Sequence, residues 1–419
     1  MLKTSRNILF PWVTGLLMAG VLVVPGCYAL LTYWLAIYGL IYAKSFLKDV
    51  WRPSLSIGAC PIWIGLIVYL FIGIGLGLWH GYKGAYFEAY LPMVLAPFIL
   101  NAVVAARPPL AMLWLASATA AILAGLLACY QSLYLHAGRA IGAMNNQIMF
   151  GDLSVVLAMF CAFGWIFGSK DRHPLWLRLY LSFGVVMGLL ASLLSGTKGG
   201  WMSVLMVSLL LISFALSNWH WSKRFFVAAA ILVAIVVLVW LMPAELVMDR
   251  VVGGFKAAHI WFLSGQITDG SVSIRLEMWR QALNMIADEP WAGWNTSGAQ
   301  LELASRLNSI GAGNHWTQVE NDLLQTGIVH GIPGSFSYLV FYGGLIFGFS
   351  RIKMRQAHPG FHVVALSMLG VLLAIVMIEF GFSVVVLGRN AFRHTWIVWS
   401  MLLLGYLITS CSFKHKNRN

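Results

Sequence analysis

Residues 56–78 read SIGACPIWIGLIVYLFIGIGLGL and carry no charged side chain. In hydrocarbon a backbone has no water to bond, so every N–H and C=O must be satisfied within the segment. A helix does this, and about 20 apolar residues cover the bilayer core. Comparable runs fall at approximately 8–24, 26–43, 89–105, 109–133, 149–168, 176–195, 201–217, 225–242, 331–350, 362–386 and 393–411. The sequence therefore predicts an all-α polytopic membrane protein with about 12 transmembrane helices. Pro25-Gly26 closes the first two into a tight hairpin, and Ser195-Gly196-Thr197-Lys198-Gly199-Gly200 separates the seventh from the eighth.

Composition agrees. The chain is 60% hydrophobic and 10% charged with 19 Trp and 41 Gly, against about 25% charged in a soluble domain. The net charge of +13 is scattered through short loops rather than gathered in a stripe, so it points to lipid headgroups and not to nucleic acid. Cys27, Cys60, Cys129, Cys161 and Cys411 lie in apolar stretches without a CxxC pair. They read as small hydrophobes, not as a disulfide framework or thiolate metal site. Lys3 and Arg6 precede an apolar run as in a signal peptide, but no small-residue cleavage site follows, so this run reads as a retained first helix. No internal repeat is visible.

The basic residues give the orientation. With the N-terminus inside, the inner segments hold Lys3, Arg6, Lys44, Lys48, Arg52, Arg107, Lys170, Arg172, Arg178, Lys223, Arg224, Arg351, Lys353, Arg355, Lys414, Lys416 and Arg418. This is the cytoplasmic excess of Lys and Arg expected of inserted helices. Both termini are then cytoplasmic. The expected organisation is residues 1–242 with spans one to nine, residues 243–329 as a partly helical periplasmic loop, and residues 330–419 with spans ten to twelve. A loop this long is uncommon without a function. Outside cations are few: Lys83, Arg139, Lys198, Arg389 and Arg393, with five more in the loop.

Within the loop, Ser273 to Ala287 is amphipathic. Ile274, Met278, Ala282 and Met285 share one helical face, and Arg275 and Trp279 share an adjacent one. The helix is expected to stop near Glu289-Pro290. Trp291, Trp294 and Trp316 suit the membrane interface better than sugar stacking. Farther on, His315, Glu320 and Asp322 are three proton-exchanging groups shortly before the chain re-enters the membrane. Glu320 or Asp322 would also serve as a helix cap. Inside the spans, Asp152 and Glu379 are costly enough to be functional suspects. A pairing of Asp152 with Arg139 or a helix cap formed by Asp152, and a pairing of Glu379 with Arg389 or Arg393, would be structural.

These motifs resemble the O-antigen ligase and polymerase superfamily of bacterial inner-membrane proteins, and in particular its ligase (WaaL) branch. The family's Arg-x-x-x-Trp is matched by Arg275-Leu276-Glu277-Met278-Trp279. Its His-Asn, nine residues, Gly-x-x-Gly is matched by Glu320-Asn321, nine residues, Gly331-Ile332-Pro333-Gly334. Its short Ser-Arg-Gly-type turn is matched by Ser195 to Trp201. Glu320 stands where the family has its catalytic His, and Lys198 where it has Arg. The resemblance implies transfer of a glycan from an undecaprenyl-pyrophosphate-linked donor to a lipid A–core acceptor on the periplasmic side. Arg139, Lys198, Arg275 and Arg280 would hold the departing pyrophosphate, and Glu320 or His315 would take the acceptor's proton. The expected reaction is inverting, without metal or cofactor. Neighbouring readings are a polymerase or a protein O-oligosaccharyltransferase on the same carrier, and a transporter of the lipid-linked glycan. Ionisable groups gathered in one loop favour an enzyme over a transporter, whose charges line a central path.

Overall fold

The computed structural model describes residues 2–167, 174–197, 203–204, 252–268, 271–312, 316–355 and 360–416. The major helices are α1 (Leu2–Gly20), α2 (Cys27–Ile41), α3 (Cys60–Trp79), α4 (Ala96–Ala106), α5 (Leu110–Cys129), α6 (Gln147–Phe167) and α7 (Leu175–Ser195). They continue with α8 (Gly253–Ser264), α9 (Ser271–Asp288), α10 (Thr296–Ser309), α11 (Asp322–Met354), α12 (Phe361–Phe380) and α13 (Asn390–Lys416). No strand occurs among the described residues.

Among the described residues, seven helices are long and apolar enough to cross a membrane: α3, α5, α6, α7, α11, α12 and α13, and three shorter apolar ones lie in α1, α2 and α4. These correspond to ten of the expected spans. The other two, 201–217 and 225–242, lie outside the described residues apart from 203–204.

The chain divides into two compact units, residues 1–201 with 336–419, and residues 202–335. In the first, α6 and α13 are the most enclosed helices, with 83% and 89% of their apolar windows buried. α6 packs on α7, α7 on α5, and α4 on both α2 and α13. Where α2 meets α4 the backbones nearly touch: a Cβ on Gly39 would overlap the Phe98 carbonyl. At the same place the Asn101 amide donates to the Gly39 carbonyl at 2.7 Å. Such close approach of small residues gives helices in lipid the packing that the hydrophobic effect cannot supply there.

The second unit has a core of its own. Ile274, Met278, Ala282 and Met285 of α9, the face predicted from spacing, are all buried. They pack with Ala299, Leu303 and Leu307 of α10, with Val319, and with Ile328 and Val329 of α11. The α9 helix ends at Asp288, two residues before Pro290. Helices α8 and α10 were not anticipated. α10 starts on Asn295, whose side chain accepts from the Gly298 amide at 2.8 Å. It is tied to α9 by Arg306, which bonds Asp288 at 2.7 Å and Glu302 at 2.6 Å. Burial alone would pull the Arg306 pKa down, but the hydrogen bonds it donates to Asp288 and Glu302 raise it above its ordinary value.

Candidate functional site

The short turn after α7 is built by hydrogen bonds from both sides. Ser195 ends α7, and Gly196 leaves it in the left-handed conformation with φ 66°. Both carbonyls are taken by Arg139, through Nε to Ser195 at 2.7 Å and Nη2 to Gly196 at 2.9 Å. The Ser195 hydroxyl lies 2.7 Å from that of Thr197, which donates to the Gln147 carbonyl at 3.0 Å. A side chain at Gly151 would overlap both hydroxyls. Arg139, expected to bind pyrophosphate, therefore fixes the shape of the turn that leads into Lys198. Lys198 itself lies outside the described residues. Asp152, one residue beyond Gly151, is fully buried. Asn146, not Asp152, caps α6, accepting from the Ile148 and Met149 amides at 2.9 and 3.0 Å. Glu379 and Arg389 are partly buried, and Arg393 is 9% exposed with Asn390 as a partner.

On α9 the two expected cations differ. Arg280 forms an ion pair with Glu277 at 2.8 Å and lies over the Trp261 ring, 5.8 Å from its centroid. Glu277 is fully buried and also accepts from Gln281 at 2.8 Å and Trp261 at 3.1 Å. A buried carboxylate needs such partners, so Arg280 is committed to Glu277 although its own side chain is half exposed. Arg275 is partly buried and has no ion-pair or hydrogen-bond partner among the described residues. The Glu277–Arg280 and Glu277–Gln281 spacings of three and four were the available signal for this network.

Glu320 is held between two fixed neighbours. Val319 is buried, and its amide donates to Gln325 Oε1 at 2.9 Å. Asn321 is the cap of α11, its Oδ1 accepting from Leu324 N at 3.0 Å. The capping role expected of Glu320 or Asp322 thus belongs to Asn321. Glu320 itself has φ 53°, a left-handed conformation that a glutamate adopts at a cost. Strain of this kind gathers at functional positions. His315 lies outside the described residues.

The Gly331-Ile332-Pro333-Gly334 motif breaks α11. Gly331 has φ 67° and ψ −163°, a region open to glycine almost alone. In an unbroken helix the Ile332 amide would donate to the Ile328 carbonyl. Here it donates to the Pro290 carbonyl at 2.7 Å, and Ile328 instead accepts from the Trp294 amide at 2.9 Å. The segment 290–294 thus inserts one acceptor and one donor into the gap. A Cβ on Gly331 would overlap the Pro290 carbonyl. Trp294 is fixed further by its indole, which donates to the Met285 carbonyl at 2.8 Å. Trp294 and Trp316 pack against the unit's own core rather than serving as interface anchors, whereas Trp291 is 74% exposed.

A helical bundle with this many apolar crossings, joined to a second helical unit, defines a multi-pass membrane protein. Residues 183–339 match the family model described as O-antigen ligase. The matched stretch takes in the Ser195 turn, the Arg275–Trp279 helix and the Glu320–Gly334 motif, while Arg139 lies outside it. The family suggests a membrane glycosyltransferase of ligase or polymerase type. No curated protein matches the chain.

Proposed function

We propose that the protein transfers a glycan from undecaprenyl pyrophosphate to a hydroxyl of the lipid A–core acceptor. The observation that carries this reading is the left-handed Glu320, fixed between buried Val319 and the cap Asn321 where the family places its base. The acceptor oxygen attacks the anomeric carbon as the bond from that carbon to the diphosphate oxygen breaks. The acceptor's proton passes to the Glu320 carboxylate, or to the His315 imidazole, and the bonding electrons leave on the diphosphate. Attack opposite the leaving group inverts the anomeric centre.

The leaving diphosphate gains negative charge in the transition state, and fixed cations aimed at that charge lower the barrier. Arg275 suits this role because its planar guanidinium is not spent on another residue of the described chain. Lys198 supplies a point charge from its turn, Arg139 sets the shape of that turn, and Arg280 serves chiefly to neutralise Glu277.

The test is transfer in vitro, with purified protein, lipid-linked glycan and core acceptor, and no energy source. Transfer by the wild type, lost in Glu320→Gln and kept in His315→Ala, supports Glu320 as the base. The reverse pattern assigns His315. Elongation of the carrier-linked glycan with no product on the core would replace the ligase reading with a polymerase. Movement of the lipid across the bilayer without transfer would make the protein a transporter.

A further inference from the structure

Helix α8 has two unlike faces. One is docked on α9: Ala257 is buried, and the Trp261 indole donates to buried Glu277 at 3.1 Å. The other is apolar and open. Phe255 is 76% exposed, Phe262 73% and Leu263 75%, with Val252 at 49%. At about 100° per residue, these four share an arc of about 120° with the exposed Lys256 and His259. We propose that this arc is a membrane-seating surface, embedded at the boundary between headgroups and acyl chains of an anionic phospholipid bilayer.

Three observations choose a bilayer over other occupants. First, α8 contains Lys256 and His259 but no acidic residue, which complements anionic phosphate. A lysine at the edge of an apolar arc can extend its stem along the acyl boundary and keep its ammonium among the headgroups. Second, the face is presented rigidly, because the opposite side is bonded through Trp261 to the Glu277 network. Third, the helix is tethered to apolar runs that insert in membranes. Only residues 243–252 separate it from the apolar stretch 225–242, a tether of at most about 35 Å fully extended. Helices with an apolar arc and flanking basic residues lie in the interfacial plane in this way. In water the same three large side chains would form a self-association patch.

The experiment uses the full chain in nanodiscs of phosphatidylethanolamine and phosphatidylglycerol. Phe262→Cys and Leu263→Cys are labelled with an environment-sensitive dye in a background carrying Cys60→Ala, Cys129→Ala and Cys411→Ala. Ser309→Cys, at the exposed end of α10, is the aqueous reference. The expected result is a blue-shifted emission at positions 262 and 263, with several-fold stronger quenching by lipids brominated near the headgroup than at 309. Quenching by aqueous iodide equal to that at 309 would overturn the proposal. So would shielding from both quenchers, which would mean that protein covers the face. If the cysteine variants do not fold, the unaltered chain is irradiated with a photoactivatable phosphatidylglycerol. Labelling of the peptide containing Phe255 to Leu263 is expected, and its absence overturns the proposal.

Discussion

Arg275 and Arg280 sit five residues apart on one helix and look equivalent in sequence, yet their surroundings assign them different work. Arg280 is paired with fully buried Glu277, so Arg280→Ala leaves a buried carboxylate short of its cation. Because the Arg280 side chain is half exposed and Glu277 keeps Trp261 and Gln281 as donors, this should lower stability by about 1 kcal/mol, seen as a lower midpoint for thermal loss of the domain's helical signal. Arg275→Ala should leave that midpoint nearly unchanged and reduce transfer about 100-fold, with Arg275→Lys recovering only part because the bidentate contact is lost. Glu320 permits a sharper separation. Glycine accepts its left-handed φ of 53° without cost, so Glu320→Gly should raise stability by about 1 kcal/mol. The same change removes the carboxylate and should abolish transfer. A variant more stable and inactive is the signature of strain kept for function. Lost stability together with lost activity would instead make Glu320 a structural residue.

Among the elements, α9 was legible and its neighbours were not. The spacing of Ile274, Met278, Ala282 and Met285 is a strong helical period, and the Pro290 signal placed its end within two residues. Helix α8 reads GGFKAAHIWFLS, with apolar residues on more than one face and no single inward stripe, because one of its faces stays apolar and open. The α11 break was visible as Gly331-Ile332-Pro333-Gly334, but its cause was not: the inserting partners are the backbone atoms of residues 290–294, and backbone bonding leaves no trace in side-chain pattern. Gly331→Ala should therefore cost about 3 kcal/mol from backbone conformation alone, before the overlap with the Pro290 carbonyl. Asn321→Ala should cost only about 1 kcal/mol for a lost cap. Chemical denaturation of the two variants side by side checks the ranking, and an equal loss would show that the break tolerates a Cβ.

For the whole molecule, the membrane class followed from apolar length alone, and ten of the expected crossings coincide with apolar helices. The candidate site was legible only as motif order. Arg275, Glu320 and Gly331 were picked out in the sequence, but Arg139's bonds to two carbonyls depend on contacts that no spacing rule specifies, and the Glu277–Arg280 spacing marks a pair without showing that its carboxylate is buried. Orientation rests on the distribution of Lys and Arg. Alkaline phosphatase fused after Ser309 should be active, since that enzyme matures only outside the cytoplasm, and a fusion after Arg355 should be inactive. The opposite pattern would place the Glu320 motif in the cytosol and remove the periplasmic reading.

The exchange of partners at Ile328 and Ile332 makes the turn segment 290–294 and the interrupted helix thermodynamically inseparable. Neither can open without stranding a peptide group of the other. Their amides should thus trade hydrogen for deuterium as one cooperative block, and a lesion as distant as Met278→Ala should accelerate Trp294 and Ile332 by the same factor.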